Sequence, residues 1–184
     1  KKDLILCVFL VSIFLLVLKY HERFNINKKF HDLQNVKLKN SIPALAIDKS
    51  LHPLMWITSE YQDPNEEFDL IKSALLEIKN SNKKLLMISN YNFLDSISDK
   101  KIYSITRTFD DVTLPNKKNK FYKKFKSFIK DKIEKENIEE IIILLPNQII
   151  EKKFKENIRS YFPKHCYKIK NIRLGLSKIN MIKC

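Results

Sequence analysis

Residues 4–18 form an apolar run in which only Cys7 and Ser12 are not Leu, Ile, Val or Phe. As a helix at ~1.5 Å per residue, 15 residues reach about 22 Å. A bilayer core of ~30 Å takes about 20 residues. Lys1 and Lys2 at one end, and Lys19 and Tyr20 at the other, can reach the interface and make up the difference. Side chains of this kind favour insertion by about 0.3–0.6 kcal/mol each at a helix centre, which bounds the sum at roughly 4–8 kcal/mol. An ordinary cytosolic enzyme is therefore not expected. We read residues 1–20 as a transmembrane helix with the lipid bilayer as its partner, 21–55 as a juxtamembrane linker and 56–184 as a small α/β domain.

Three accounts of the run compete. A cleaved signal peptide needs small residues at a cleavage site, and Lys19-Tyr20-His21-Glu22-Arg23-Phe24 offers none. A single-pass anchor needs nothing further. The last span of a larger membrane protein agrees with a chain that opens on Lys rather than Met. Lys19, Arg23, Lys28, Lys29, Lys37 and Lys39 follow the run against Lys1 and Lys2 before it. Taken alone, the positive-inside rule would put the domain in the cytoplasm.

The net charge of +14, from 35 basic against 21 acidic residues, suggests nucleic acid at first sight. However, only Arg23, Arg107, Arg159 and Arg173 are Arg, whereas base and phosphate recognition favours the bidentate Arg fork. The Lys, Asn and Ile excess fits AT-rich coding DNA, so no nucleic-acid partner is expected. The charge still attracts anionic lipid headgroups. A single Gly excludes every glycine-rich phosphate loop. Three Cys exclude a disulfide-dense secreted scaffold, and 12 Phe with 7 Tyr in periodic runs exclude disorder.

In residues 21–55, Phe24, Ile26, Phe30 and Leu33 read either as a short interfacial helix or as an irregular linker; Pro43 and Pro53 exclude a long helix. From Trp56 the pattern turns to α/β. Asp63-Pro64-Asn65-Glu66 is a helix start, after which Phe68, Ile71, Leu75 and Ile78 recur at helical spacing. Residues 85–89 read as a buried strand, 92–98 as a short helix and 101–106 as a second strand. A long helix is expected over 116–137, with Phe121, Phe125, Phe128, Ile129 and Ile133 on one face. Residues 141–145 read as a strand, 148–161 as a helix and 167–170 as a last strand. Alternation of this kind predicts a mostly parallel sheet of three to four strands.

Little in the chain points to chemistry. Asp110-Asp111 follows a strand, where α/β proteins bind ligands, but a solvated loop explains the pair. Glu60, Asp63, Glu66 and Glu67 cluster at a helix N-terminus, where the dipole favours them. His21, His31, His52 and His165 show no ligand spacing, so no metal or cofactor is expected. His165-Cys166 is not expected to act as a nucleophilic pair, because neighbouring residues rarely point at each other. Cys7 reads as an apolar filler. Cys166 and Cys184 either stay unpaired or, in an oxidising compartment, close a loop worth roughly 3 kcal/mol. The nine Lys between 117 and 135 read as a polar outer face, or as a contact for headgroups or a lipid-linked phosphate.

Several segments together resemble one family. Trp56-Ile57-Thr58-Ser59-Glu60-Tyr61 followed by Asp63-Pro64 is similar to a stretch in multi-spanning bacterial glycosyltransferases of the GT-C type, relatives of the dolichyl-phosphate-mannose protein mannosyltransferases and lipopolysaccharide core sugar transferases. Ile88-Ser89-Asn90-Tyr91-Asn92-Phe93 resembles a strand-to-helix segment there, with Asn90 where Asp is usual. The basic aromatic stretch 119–128, Cys166 and the closing Ile182-Lys183-Cys184 look like the same region. The resemblance covers about residues 56–184. It implies the C-terminal portion of an inner-membrane enzyme that uses a polyprenyl-phosphate-linked sugar, with the rest of that polytopic protein as partner. The family's catalytic acid lies in the first extracytoplasmic loop, so no catalytic residue carries over to this chain. The resemblance also places the domain outside the cytoplasm, against the charge count, and so favours a Cys166–Cys184 disulfide.

Overall fold

The computed structural model describes residues 2–26, 38–58, 60–109, 113–162 and 164–182. The chain divides into two compact units: residues 1–43 with 55–64, and residues 44–54 with 65–184.

In the first unit, α1 (Lys2–His21) extends the apolar run by its polar ends to 20 residues. At ~1.5 Å per residue that is about 30 Å, the thickness of a bilayer core. Every described side chain of α1 is exposed, so no protein core accounts for its hydrophobicity. The Ser12 hydroxyl donates to Val8 O at 2.8 Å, which satisfies inside the helix the group that lipid could not. The helix is long and apolar enough to cross a membrane; a signal sequence meets the same description. One wider turn follows over Glu22–Ile26, where Tyr20 and Phe24 stack with centroids 4.3 Å apart. Further on, β1 (Ile42–Pro43) pairs antiparallel with β2 (Met55–Trp56). Thr58 Oγ1 then accepts the amides of Glu60 and Tyr61, each at 3.2 Å.

The second unit is an α/β domain. Its first piece, residues 44–54, makes two short 3-10 turns, closed by Ala44 N–H donating to Leu54 O at 2.9 Å. Next come α2 (Pro64–Asn80), β3 (Leu85–Ser89), α3 (Leu94–Ile97), β4 (Ile102–Ser104), α4 (Tyr122–Glu136), β5 (Glu140–Leu144), α5 (Gln148–Tyr161), β6 (Tyr167–Arg173) and β7 (Leu176–Met181). The sheet order is β4-β3-β5-β7-β6. β4, β3 and β5 are parallel, while β7 runs antiparallel to both β5 and β6. Since side chains alternate along a strand, the sheet offers two faces. On one, Leu86, Ile88, Ile141, Ile143 and Ile179 join a single core with Ile129 and Ile133 of α4 and Phe154, Ile158 and Tyr161 of α5. On the other lie Leu85, Met87, Ile142, Leu144 and Leu176, all buried. Glu77 and Leu70 of α2 reach this face, at Lys178 and Gly175 respectively.

The sequence-based expectation of three to four mostly parallel strands is corrected to five in a mixed sheet. The expected last strand over 167–170 falls in β6, and the missed part is its hairpin partner β7. Ser177 and Lys178 interrupt the apolar pattern of β7, and a Lys in a covered strand is tolerated only because carboxylates on other elements meet it. The turn Leu174-Gly175 carries the only Gly of the chain, at φ +81. A Cβ there would sit 3.1 Å from Leu145 O and 3.2 Å from a Leu70 methyl. The position needs both the left-handed backbone and the missing side chain.

The expected helix over 116–137 begins six residues late. Asn116 Oδ1 accepts from Lys118 N–H and Asn119 Oδ1 from Phe121 N–H, both at 2.9 Å. These short side chains offer the backbone turns in place of helix. At the other end Asn137 adopts φ 52, and Ile138 N–H donates back to Ile133 O at 2.9 Å, which closes the helix without Gly. Ile129 and Ile133 are buried as expected, but Phe121 and Phe128 are 55% and 45% exposed. They lie on the flank of α4, not on its core face.

Candidate functional site

The parallel strands end where an α/β sheet most often binds a ligand. β3 leads through α3 to β4 on one side, and the chain returns through α4 to β5 on the other, so the crevice lies at the carboxyl ends of β3 and β5. There the described polar groups are spent on the fold. Asn90 Oδ1 accepts Phe109 N–H at 2.7 Å, and its Nδ2 donates to Phe109 O at 3.3 Å. Asn92 Nδ2 donates to Arg107 O at 2.8 Å. The Tyr91 hydroxyl donates to buried Glu67 Oε1 at 2.5 Å. Asn147 Oδ1 caps α5 through the amides of Ile149 and Ile150, at 3.0 and 3.2 Å.

Two buried ionic groups cross the sheet. On the α2 face, Lys178 Nζ lies 3.2 Å from Glu140 Oε2 and 3.3 Å from Glu77 Oε2. Glu140 also accepts from the Ser81 hydroxyl at 2.7 Å and pairs with Lys83 at 3.1 Å. Burial alone would raise the Glu140 carboxyl, but the bonds from Ser81, Lys83 and Lys178 outweigh it and hold it below the usual range. Burial likewise opposes the Lys178 charge, and Glu140 with Glu77 more than restores it, so the ammonium is held above its usual range. On the α5 face, buried Glu151 accepts from Ser177 Oγ and pairs with Lys155, each at 2.9 Å. Both groups bind elements of the fold together, and every charge in them has a partner.

A polar groove lies beside the start of α4 and the last turns of α5. Its volume is about 470 Å³, and Asn116, Lys117, Lys118, Arg159 and the carboxylate-bearing Glu156 are among its lining residues. Beneath it Tyr122 Oη and Lys126 Nζ donate to Ser160 O at 2.8 and 3.2 Å. Tyr161 donates to Pro115 O at 2.8 Å and stacks on Tyr122 with centroids 5.5 Å apart. Burial first, then Tyr122, pushes its phenol well above the ordinary range.

Cys166 is buried and disulfide-bonded, and Cys7 is free and exposed. Cys184, its expected partner, lies outside the described residues, as do Asp110, Asp111, His31, Phe30 and Leu33. Glu60, Asp63 and Glu66 are exposed around the start of α2, whereas Glu67 is buried. No group of three or more His, Cys, Asp or Glu that could hold a metal ion occurs among the described residues. The buried Glu140–Lys178 pair was not anticipated, since its partners are 38 residues apart and only the register of β5 against β7 brings them together. No family model, curated protein or solved structure matches the chain.

Proposed function

We propose that this chain is the C-terminal accessory portion of a membrane-embedded glycosyltransferase that uses a polyprenyl-phosphate-linked sugar donor, with the catalytic loop carried elsewhere in the parent protein. The observation that carries the reading is α1, a 20-residue helix with every described side chain exposed, followed by a small α/β domain. The disulfide at Cys166 supports an oxidising, extracytoplasmic side of the inner membrane.

The coding DNA upstream of Lys1 tests the proposal. An open frame with further apolar spans, and an acidic residue in its first long loop, supports it. A start codon directly ahead of Lys1 overturns the transferase reading and leaves a single-pass, membrane-anchored binding module.

A further inference from the structure

From Asn116 to Lys130 the chain carries seven Lys and no Asp or Glu. Phe121, Lys124, Phe128, Lys132 and Lys135 follow one another at three- and four-residue steps along α4, so they line one flank. Phe121 and Phe128 are large aromatic rings left in the open. Lys120 Nζ stands 4.9 Å from the Phe121 centroid, and the Phe125 and Phe128 rings are 6.4 Å apart. Among the described residues Lys124, Lys132 and Lys135 have no carboxylate within ion-pair distance, whereas Lys130 pairs with Glu134 at 3.6 Å on another side of the helix. Asp131, four residues before Lys135, accepts from Ser127 Oγ at 3.3 Å instead of pairing with that lysine. Cations that pair with no carboxylate, interleaved with exposed apolar rings, suit a partner that is both anionic and apolar.

We infer that this flank of α4 docks on the anionic headgroup layer of the bilayer that α1 spans, with Lys124, Lys132 and Lys135 among the phosphates and Phe121 and Phe128 at the acyl boundary. Such a layer offers both chemistries at one surface. The 15 residues 27–41 between the described end of the α1 segment and β1 extend to at most about 50 Å. The domain is therefore tethered close to the surface it would bind, which raises the local concentration of that partner above any free one. A nucleic-acid strand is the rival with similar chemistry, but no such tether to one is seen among the described residues. The inference rests on α1 spanning a bilayer and is independent of the transferase reading.

The full chain in nanodiscs tests it, with W56F as background and one new Trp at a time: F121W, F128W or, on another side of α4, K130W. Folding of each variant is checked by circular dichroism. With phosphatidylglycerol present, brominated lipid should quench F121W and F128W but not K130W. The quenching should be lost with phosphatidylcholine alone, or at high salt, where a Debye length of about 10 Å at 0.1 M shrinks to ~3 Å at 1 M. Adding K124Q, K132Q and K135Q together should lower the docked-to-undocked ratio on the order of 100-fold, from roughly fivefold per basic residue. Quenching of F121W and F128W no greater than that of K130W, in chain that resists alkaline carbonate extraction, would overturn docking alone. Release of the whole chain by carbonate would overturn the spanning of α1 as well. Displacement of the quenching by an oligonucleotide would assign the flank to nucleic acid instead.

Discussion

Removing one end of the Lys178–Glu140 pair should have unequal effects depending on which end is removed. In K178M, Glu140 keeps the Ser81 hydroxyl at 2.7 Å and Lys83 at 3.1 Å, but its carboxylate is only 6% exposed and Lys83 is 47% exposed. Glu77, 30% exposed, loses its ion-pair partner too. Breaking a buried ion pair costs about 3–5 kcal/mol, and the surviving Ser81 and Lys83 bonds put K178M near the lower end, about 3 kcal/mol. E140Q keeps the shape and leaves Lys178 paired with Glu77. Its amide oxygen can still accept from Ser81 and Lys178, while its NH2 faces Lys83, which at 47% exposure can turn to water. One bond is lost and the others become neutral-acceptor bonds, a loss of about 1–2 kcal/mol. Urea unfolding of the full chain in detergent, followed by circular dichroism, reads both as shifts in midpoint at constant slope. The pH dependence follows from the directions of shift. Glu140 is held below its ordinary value of 4.5, so its contribution is present above that value and is lost as pH falls through the lower folded one. Lys178 is held above 10.5, so its contribution is present below that value and is lost as pH rises through the higher folded one. E140Q should therefore flatten the acid limb. A K178M loss under about 1 kcal/mol, or equal losses for the two variants, would refute the reasoning that an unpaired buried carboxylate dominates.

Three further outcomes are expected. G175A should destabilise the domain by about 1–3 kcal/mol, because φ +81 is strained for any side chain and the new methyl meets Leu145 O; an unchanged urea midpoint would contradict the hairpin geometry. N90D can still accept from Phe109 N–H, but it turns a donor into an anion against Phe109 O. It should cost about 1–2 kcal/mol at neutral pH, with recovery toward pH 4 as the carboxyl protonates; a loss that does not shrink on acidification would argue against this cause. Alkylation of the denatured chain without reductant should label Cys7 alone, and reduction should expose two more thiols. Three adducts before reduction would reject the Cys166 bridge and remove its support for an extracytoplasmic domain.

How much was legible in the sequence depended on how local the cause was. The strand over residues 85–89 and the helix over 148–161 coincide with β3 and α5, since a short apolar run and an Asn cap act within a few residues. The start of α4 was misread because Asn116 and Asn119 take the amides that a helix would otherwise use. β7 was missed because it carries Lys178 and Ser177 into covered positions, and each is acceptable only through groups on other elements.

The sequence by itself determined that one helix is too apolar for a small soluble domain to absorb, that alternating periodicities build an α/β sheet, and that no glycine-rich phosphate loop exists. These follow from side-chain order along the chain, where hydrophobicity and backbone freedom are properties of neighbours. Only the tertiary structure decided that the sheet is mixed, that the described polar groups at its carboxyl edge are consumed by the fold, and that Phe121 and Phe128 face outward. Each of those depends on register and on helix rotation about the core. Burial and partner assignment over tens of residues have no local signature, because the energy that selects them comes from contacts the linear order does not contain.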